Sequence, residues 1–174
     1  MRWVALLRGV NLGARNKVPM AKLRAQLEAV GYENVQTYIA SGNVILDGPS
    51  GRKKLAADLE ALVGDAFGVS TRVTLRKPRE LAAAVAAHPF DDASETHVAF
   101  LAARPTKAAA ARLADLDGGA HRAVLAGMEV YLRLTHGVHG SPLSIARLES
   151  VLGVPATLRN WRTVVALAER AAGA

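Results

Sequence analysis

The chain has 174 residues, of which 51% are hydrophobic and 21% are charged, and its formal net charge is +7. That length allows one sizeable core or two small subdomains, and the apolar content excludes a disordered chain. The lack of cysteine excludes disulfides, iron–sulfur clusters, thiol nucleophiles and cysteine-ligated zinc.

The excess of positive charge favours anionic partners, although it does not choose among them. Because the cations are scattered along the chain, the pattern indicates a solvated surface more than dedicated nucleic-acid binding. No segment reaches the roughly 18 apolar residues of a membrane span, and the start of the chain lacks a cleavage-site pattern. The sequence therefore predicts a cytoplasmic protein with no membrane partner.

The N-terminal half alternates between strand and helix patterns. Residues 2–9 form a buried apolar run, and Pro19 suits the first turn of the amphipathic helix that follows. Residues 35–40 and 44–47 are rich in β-formers and predict a hairpin. A second helix, with leucines on one face, and an alternating strand over residues 71–76 complete a βαββαβ order.

The C-terminal half repeats most of this order. It predicts a helix over residues 79–88, a strand over residues 96–101, a helix capped by Thr106 and a second hairpin. A helix that ends at Gly153 follows, and a final helix begins near Asn160. The two halves are therefore predicted to be a topological repeat, without a repeat at the level of residues.

The order of elements predicts an α+β fold made of two ferredoxin-like subdomains of the βαββαβ type. The first covers residues 1–76. The second covers residues 77–174, and a C-terminal helix replaces its closing strand. In each subdomain, the first and third strands are expected to lie centrally in an antiparallel sheet.

The polar loop of residues 8–17, called the first loop below, is the strongest candidate for a binding surface. It joins a buried strand to a helix N-terminus, where free N–H groups and the helix dipole favour phosphate or carboxylate. Arg8, Arg15 and Lys17 would add charge-assisted hydrogen bonds. These features predict an anion site.

The glycines of the first loop also allow a structural interpretation. The spacing of Gly9 and Gly13 matches neither the dinucleotide fingerprint nor the phosphate loop of nucleotide-binding proteins. The same residues could form a plain surface connection with positive φ at the glycines, while Asn11 and Asn16 cap backbone groups. The residues alone leave both interpretations open.

Two further polar segments could contribute to a site. Ser41 and Asn43 lie in the predicted hairpin turn beside Tyr38, where such residues are usually only turn formers. Arg159 and Asn160 lie at a predicted helix start, where Asn160 could serve as the capping residue and Arg159 could reach an anion. In both segments a structural role is the commoner one.

The sequence predicts no metal site and identifies no cofactor. His136 and His139 lie in a glycine-rich loop without an acidic partner at a fixed spacing, which is a poor zinc pattern. Asp91 and Asp92 could hold a divalent cation with a phosphate, but solvated loop carboxylates are the ordinary interpretation.

Three blocks of sequence together resemble an uncharacterised bacterial family, DUF1697. The blocks are LLRGVNLGARNKVPM at residues 6–20, TYIASGNV at residues 37–44 and TLRNWRT at residues 157–163. The resemblance extends over essentially the whole chain and implies an α+β fold of two ferredoxin-like subdomains with no assigned activity. The chain carries Pro142 where relatives are expected to have lysine, so an anion contact from that lysine is missing here.

The resemblance favours one site built from the three polar blocks, for an anionic small molecule such as a phosphorylated compound. No catalytic residue is assigned, and whether the protein is an enzyme stays open. The candidate binding residues are Arg8, Asn11, Gly13, Asn16, Lys17, Tyr38, Ser41, Asn43, Arg159 and Asn160.

Two alternatives remain at this point. A basic nucleic-acid-binding module would agree with the net charge, but the aromatic content of 5% offers few stacking platforms. A purely structural or dimerisation role for the three blocks would need no ligand. Fold alone does not separate these possibilities.

Overall fold

A computed structural model describes residues 1–116, 121–134 and 143–173 of the chain. His136, His139 and Pro142 therefore lie outside the described residues. No helix among the described residues combines the length and apolarity needed to cross a bilayer. The secondary structure consists, in chain order, of β1 (Arg2–Leu7), α1 (Met20–Ala29), β2 (Glu33–Tyr38), β3 (Asn43–Asp47), α2 (Arg52–Phe67), β4 (Val73–Arg76), α3 (Pro78–Ala86), β5 (Thr96–Leu101), α4 (Lys107–Ala111), β6 (Arg122–Ala126), β7 (Glu129–Arg133), α5 (Ile145–Leu152), β8 (Ala156–Asn160) and α6 (Trp161–Ala172).

The chain divides into two compact units, each with one four-stranded sheet. The first unit comprises Met1–Leu81 with Glu169–Ala174, and the second comprises Ala82–Ala168. The strand order is β2-β3-β1-β4 in the first sheet and β6-β7-β5-β8 in the second, and all neighbouring strands are antiparallel. The fold is thus a mixed α+β fold, as the sequence predicts.

Each unit has a hydrophobic core between one face of its sheet and its helices. Alternation along the strands places every second side chain on that face. In the first unit, the core residues include Trp3, Ala5, Leu7, Leu23, Leu27, Leu55, Leu59 and Val63. In the second unit, they include Ala99, Leu101, Leu113, Val130, Leu132, Leu148 and Leu152.

The sequence prediction was wrong about the closing strand of the second unit. Residues 156–160 form β8, which pairs with β5 from His97↔Asn160 to Leu101↔Ala156. The segment was not recognised as a strand because Thr157 and Arg159 are polar, although both side chains are buried. The final helix then follows the strand instead of replacing it.

The first hairpin is displaced from its predicted position. β2 ends at Tyr38 instead of residue 40, and Asn43 begins β3, so the hairpin turn comprises residues 39–42. Ile39 leaves the strand because it adopts a positive φ of 48°. A positive φ is unfavourable for a β-branched residue. Because β-branched residues favour strands, the side-chain type of Ile39 wrongly suggested that the strand continues.

The strand registers reveal the residue-level repeat that the sequence reading missed. Arg76 lies opposite Val4 in the first unit, and Arg159 lies opposite Val98 in the second. Around these positions, corresponding residues are identical in three pairs of strand segments: Val4-Ala5 with Val98-Ala99, Val44 and Leu46 with Val130 and Leu132, and Thr74-Leu75-Arg76 with Thr157-Leu158-Arg159. The sequence alone does not show this repeat, because the connections between these strands differ in length.

Candidate functional site

The first loop follows β1 and is anchored where that strand ends. The backbone N–H of Arg8 donates to Thr71 Oγ1 at 3.1 Å and to the carbonyl oxygen of Arg72 at 2.9 Å. The loop then reverses direction through residues with positive φ, namely Gly9, Asn11, Gly13 and Asn16. Glycine and asparagine are the residues that tolerate this conformation best.

Two asparagine side chains brace the first loop from within. Asn11 donates from Nδ2 to the carbonyl oxygens of Val18 and Ala40, both at 2.8 Å, and its Oδ1 accepts from the N–H of Val18 at 2.8 Å. Asn16 donates from Nδ2 to the carbonyl oxygen of Gly9 at 2.9 Å. These amides are therefore engaged with the protein backbone, as in the structural interpretation of the loop.

The hairpin turn (residues 39–42) packs directly against the first loop. The N–H of Leu7 donates to the carbonyl oxygen of Gly42 at 2.8 Å, in addition to the bond from Asn11 to Ala40. A Cβ atom on Gly42 would lie 2.5 Å from Val10 Cγ2, so only glycine fits there. Two of the three predicted blocks thus form one surface.

Within the hairpin, Asn43 has a structural position. It is fully buried and donates from Nδ2 to the carbonyl oxygen of Tyr38 at 2.9 Å and to Ser41 Oγ at 3.0 Å. Ser41 itself is exposed at the turn. The ring of Tyr38 lies under the guanidinium of Arg170, whose Cζ is 4.7 Å from the ring centroid.

The outer surface of these two segments combines cationic and apolar side chains. Arg15 is exposed and makes no side-chain hydrogen bond or ion pair within the described parts of the chain, and Lys17 Nζ donates to the carbonyl oxygen of Gly13 at 2.7 Å. Leu12 and Ile39 are large apolar residues with exposed fractions of 65% and 49%. The surface offers positive charge beside apolar contact area.

The N-terminus of α1 adjoins the first loop and is electrostatically open to an anion. Its N-cap residue, Pro19, provides no side-chain hydrogen bond, and the first turn of the helix contains no acidic residue. No carboxylate in that turn therefore accepts hydrogen bonds from the first N–H groups or neutralises the positive end of the helix dipole.

The third predicted block belongs to the second unit. Arg159 is buried in β8, and its Nη1 donates to the carbonyl oxygen of Leu158 at 2.8 Å; burial lowers the pKa of this guanidinium from its ordinary value. Asn160 caps α6, because its Oδ1 accepts from the N–H of Thr163 at 2.8 Å. Trp161 stacks at a tilt with His88, with ring centroids 4.2 Å apart.

Sequence reasoning missed Arg76, the counterpart of Arg159 in the first unit. It is buried in β4, and its Nη1 donates to the carbonyl oxygen of Leu75 at 2.9 Å, the same contact that Arg159 makes. The shared Thr-Leu-Arg sequence was the signal that could have identified it.

The described residues contain no cluster of three or more metal-ligating side chains. Asp92 accepts from the backbone N–H and the hydroxyl of Ser94, both at 2.8 Å, which lowers the pKa of its carboxyl. These contacts give Asp92 the role of a turn former.

The fold and the surface define a two-unit α+β protein with a braced, basic loop. The chain belongs to the family described as protein of unknown function DUF1697, which matches residues 1–131. This membership confirms the family indicated by the sequence, and the third block, at residues 157–163, lies outside the matched residues. No curated protein matches the chain.

A solved structure shares the fold over almost the whole length. The conserved bacterial protein SP0830 from Streptococcus pneumoniae superposes with a TM-score of 0.71, with 97% of each chain covered and 23% sequence identity. At this identity, the likeness concerns the fold alone.

Proposed function

We propose that the first unit binds an anionic small molecule on the surface formed by the first loop and the hairpin turn. The observation that carries this proposal is the contrast with the second unit. The β1–α1 connection has twelve residues (8–19), whereas the corresponding β5–α4 connection has five (102–106). The β2–β3 turn has four residues, whereas the β6–β7 turn has two.

The second unit therefore acts as an internal control for what the fold requires. Both units build a four-stranded sheet in the same order, and the second does so with the shorter connection at both of these places. The two longer connections of the first unit hydrogen-bond to each other through Asn11 and Ala40. Additions that exceed the needs of the scaffold and meet at one place are typical of binding loops.

Pre-organisation of the loop supports the same function. The Asn11 and Asn16 hydrogen bonds fix the backbone before any ligand arrives, which lowers the entropic cost of binding. The turn also holds Ile39 in an unfavourable conformation, a form of strain that concentrates at functional sites. In this proposal, Asn11, Asn16 and Asn43 are scaffold residues and the cations Arg8, Arg15 and Lys17 contact the ligand.

The ligand class follows from what surrounds the cations. Arg15, Lys17 and the N-terminus of α1 favour phosphate or carboxylate. Leu12 and Ile39 supply apolar area that an inorganic anion would leave unused. An organic phosphate or carboxylate with an apolar portion satisfies both. We also include Gly13, Tyr38 and Ser41 of the same unit as candidate contributors, with no catalytic step assigned. Arg159 and Asn160 stay candidates from the sequence alone.

Three further expectations keep the status of proposals. The ferredoxin-like type of both units is supported by the strand order, which places the first and third strands of each unit at the centre. The division into subdomains 1–76 and 77–174 and the cytoplasmic location stay predictions from the sequence.

A thermal-shift experiment tests the proposed function. Pyrophosphate, nucleotides, sugar phosphates and dicarboxylates are compared for their effect on the melting temperature of the protein, because a ligand that binds only the folded state raises it. At least one organic anion should raise the melting temperature more than pyrophosphate does. A melting temperature that no organic anion raises would contradict a small-molecule site. So would an increase that DNA and RNA cause equally and that disappears with salt.

Matched charge removals then locate the binding. Arg15→Ala should reduce the ligand-induced shift, whereas Lys53→Ala should retain it. Lys53 is also exposed, but it lies on α2, which follows the end of β3 opposite Arg2 and so lies at the other end of the sheet from the first loop. Equal losses in both variants would show that only net charge matters.

A further inference from the structure

The four edge strands of the two sheets differ in how they are protected from pairing with another chain. β4 is buried along its whole length, and three of the five residues of β8 are buried. β2 is more exposed, but its register shifts between Glu33 and Gln36, and Asn34 has a positive φ of 51°. Burial, irregular register and charge are the common means by which proteins block an open edge.

β6 has little of this protection within the described residues, because Arg122 at its start is its only charged residue. It pairs with β7 in continuous register from Arg122↔Arg133 to Ala126↔Glu129, without a bulge. Its residues from Ala123 to Ala126 are half-buried, and the strand contains neither proline nor lysine. A regular, apolar, partly exposed edge strand is a template for the addition of another strand.

The hairpin geometry identifies which backbone groups of β6 point outward. A two-residue turn makes Ala126 and Glu129 a hydrogen-bonded pair, and such pairs alternate along an antiparallel ladder. The N–H and C=O groups of Val124 therefore point toward β7. Those of Ala123 and Leu125 point away from it and have no hydrogen-bond partner within the described segments.

We propose that β6 is the contact surface for a second copy of this chain, which pairs with it antiparallel across a two-fold axis at Val124. In this register, Ala123 lies opposite Leu125 of the second copy, and the outward groups of both residues form hydrogen bonds. Val124 lies opposite its own counterpart, and Arg122 lies opposite Ala126. The four-stranded sheet of the second unit in each copy then becomes half of one eight-stranded sheet.

Self-complementarity makes a second copy the best occupant. The register places a small residue opposite a large one, sets β-branched side chains against each other, and brings no like charges face to face. A two-fold arrangement also closes, so both open edges are covered and no further chain can add. The contact is confined to one short strand and is therefore expected to give a weak, concentration-dependent dimer.

Because the chain has no cysteine, a single introduced thiol gives a clean test of this register. Val124 is a non-hydrogen-bonded cross-strand position in the proposed dimer, where Cα atoms lie about 4.5 Å apart, within the range of a disulfide. Under mild oxidation, Val124→Cys should form a covalent dimer at least tenfold faster than Val30→Cys. Val30 is a suitable control because it is 62% exposed at the end of α1.

Sedimentation velocity of the unmodified chain gives an independent readout. The sedimentation coefficient should rise with concentration in the high micromolar range. Val124→Lys should abolish the rise, because two ammonium groups would meet at the axis, and Val30→Lys should preserve it. A concentration-independent monomer, or cross-linking of Val124→Cys no faster than that of Val30→Cys, overturns the proposal. Neither outcome bears on the anion site of the first unit.

Discussion

Asn11 shows at the scale of a single residue how a polar block can be structural. Its side chain makes three hydrogen bonds to backbone groups, and its φ of 54° suits asparagine or glycine. Asn11→Gly keeps the backbone conformation but removes these bonds, and should lower the free energy of unfolding by about 2 kcal/mol. Asn16→Gly, which removes one such bond, should cost less. Urea denaturation measures both, and equal costs would contradict the bracing role of Asn11.

Tyr131 provides a pH-dependent test at the same scale. Its hydroxyl donates to the carbonyl oxygen of Ala84 at 2.6 Å, and burial, with a smaller effect of Glu129, raises its pKa to about 12. The pKa of Tyr131 in the folded protein lies above the unfolded value of about 10. The contribution of its protonated hydroxyl to the free energy of unfolding is therefore fully present below pH 10 and is lost as the pH rises toward 12. The stability advantage of the unmodified protein over Tyr131→Phe should therefore narrow across this window. A constant difference in urea denaturation between pH 9 and pH 11.5 would be inconsistent with the raised pKa.

At the scale of elements, the sequence predicted most of the order and less of the boundaries. Apolar periodicity and capping residues identified α1, β5 and the Thr106 cap of α4, because local chemistry determines these features. Apolar periodicity did not identify β8, because Thr157 and Arg159 are polar residues that the folded structure buries. The sequence also indicated the polar blocks of the candidate site, but not that several of their amides serve the backbone, since hydrogen-bond partners depend on the folded geometry.

Asn160 illustrates this distinction at the junction between β8 and α6. Its side chain caps the helix through the N–H of Thr163, although the residue belongs to a block proposed to bind ligand. Asn160→Ala should lower the free energy of unfolding by about 1 kcal/mol, whereas Asn160→Asp should retain it, because aspartate is an equally good N-cap and complements the helix dipole. Unchanged stability in the alanine variant would instead assign Asn160 a role outside the fold.

At the scale of the whole molecule, the chain uses one strand framework twice and lengthens different connections in the two copies. Arg76 and Arg159 occupy the same register position, are buried to 2% and 8% exposure, and donate to the carbonyl oxygen of the preceding residue. Removing either should leave buried polar groups without a partner and a gap where the aliphatic stem packs. Equivalent positions should therefore have equivalent energetic roles in the two units.

The repeat supplies its own controls for this prediction. Arg79 and Arg162 follow the two buried arginines at the same spacing of three residues, and both are exposed. Arg76→Ala and Arg159→Ala should each lower the free energy of unfolding by about 2–3 kcal/mol, whereas Arg79→Ala and Arg162→Ala should change it little. Chemical denaturation of the four variants makes the comparison. If only one of the buried arginines proved important, the duplicated framework would no longer imply duplicated energetics, and that arginine would become the better candidate for a function specific to its unit.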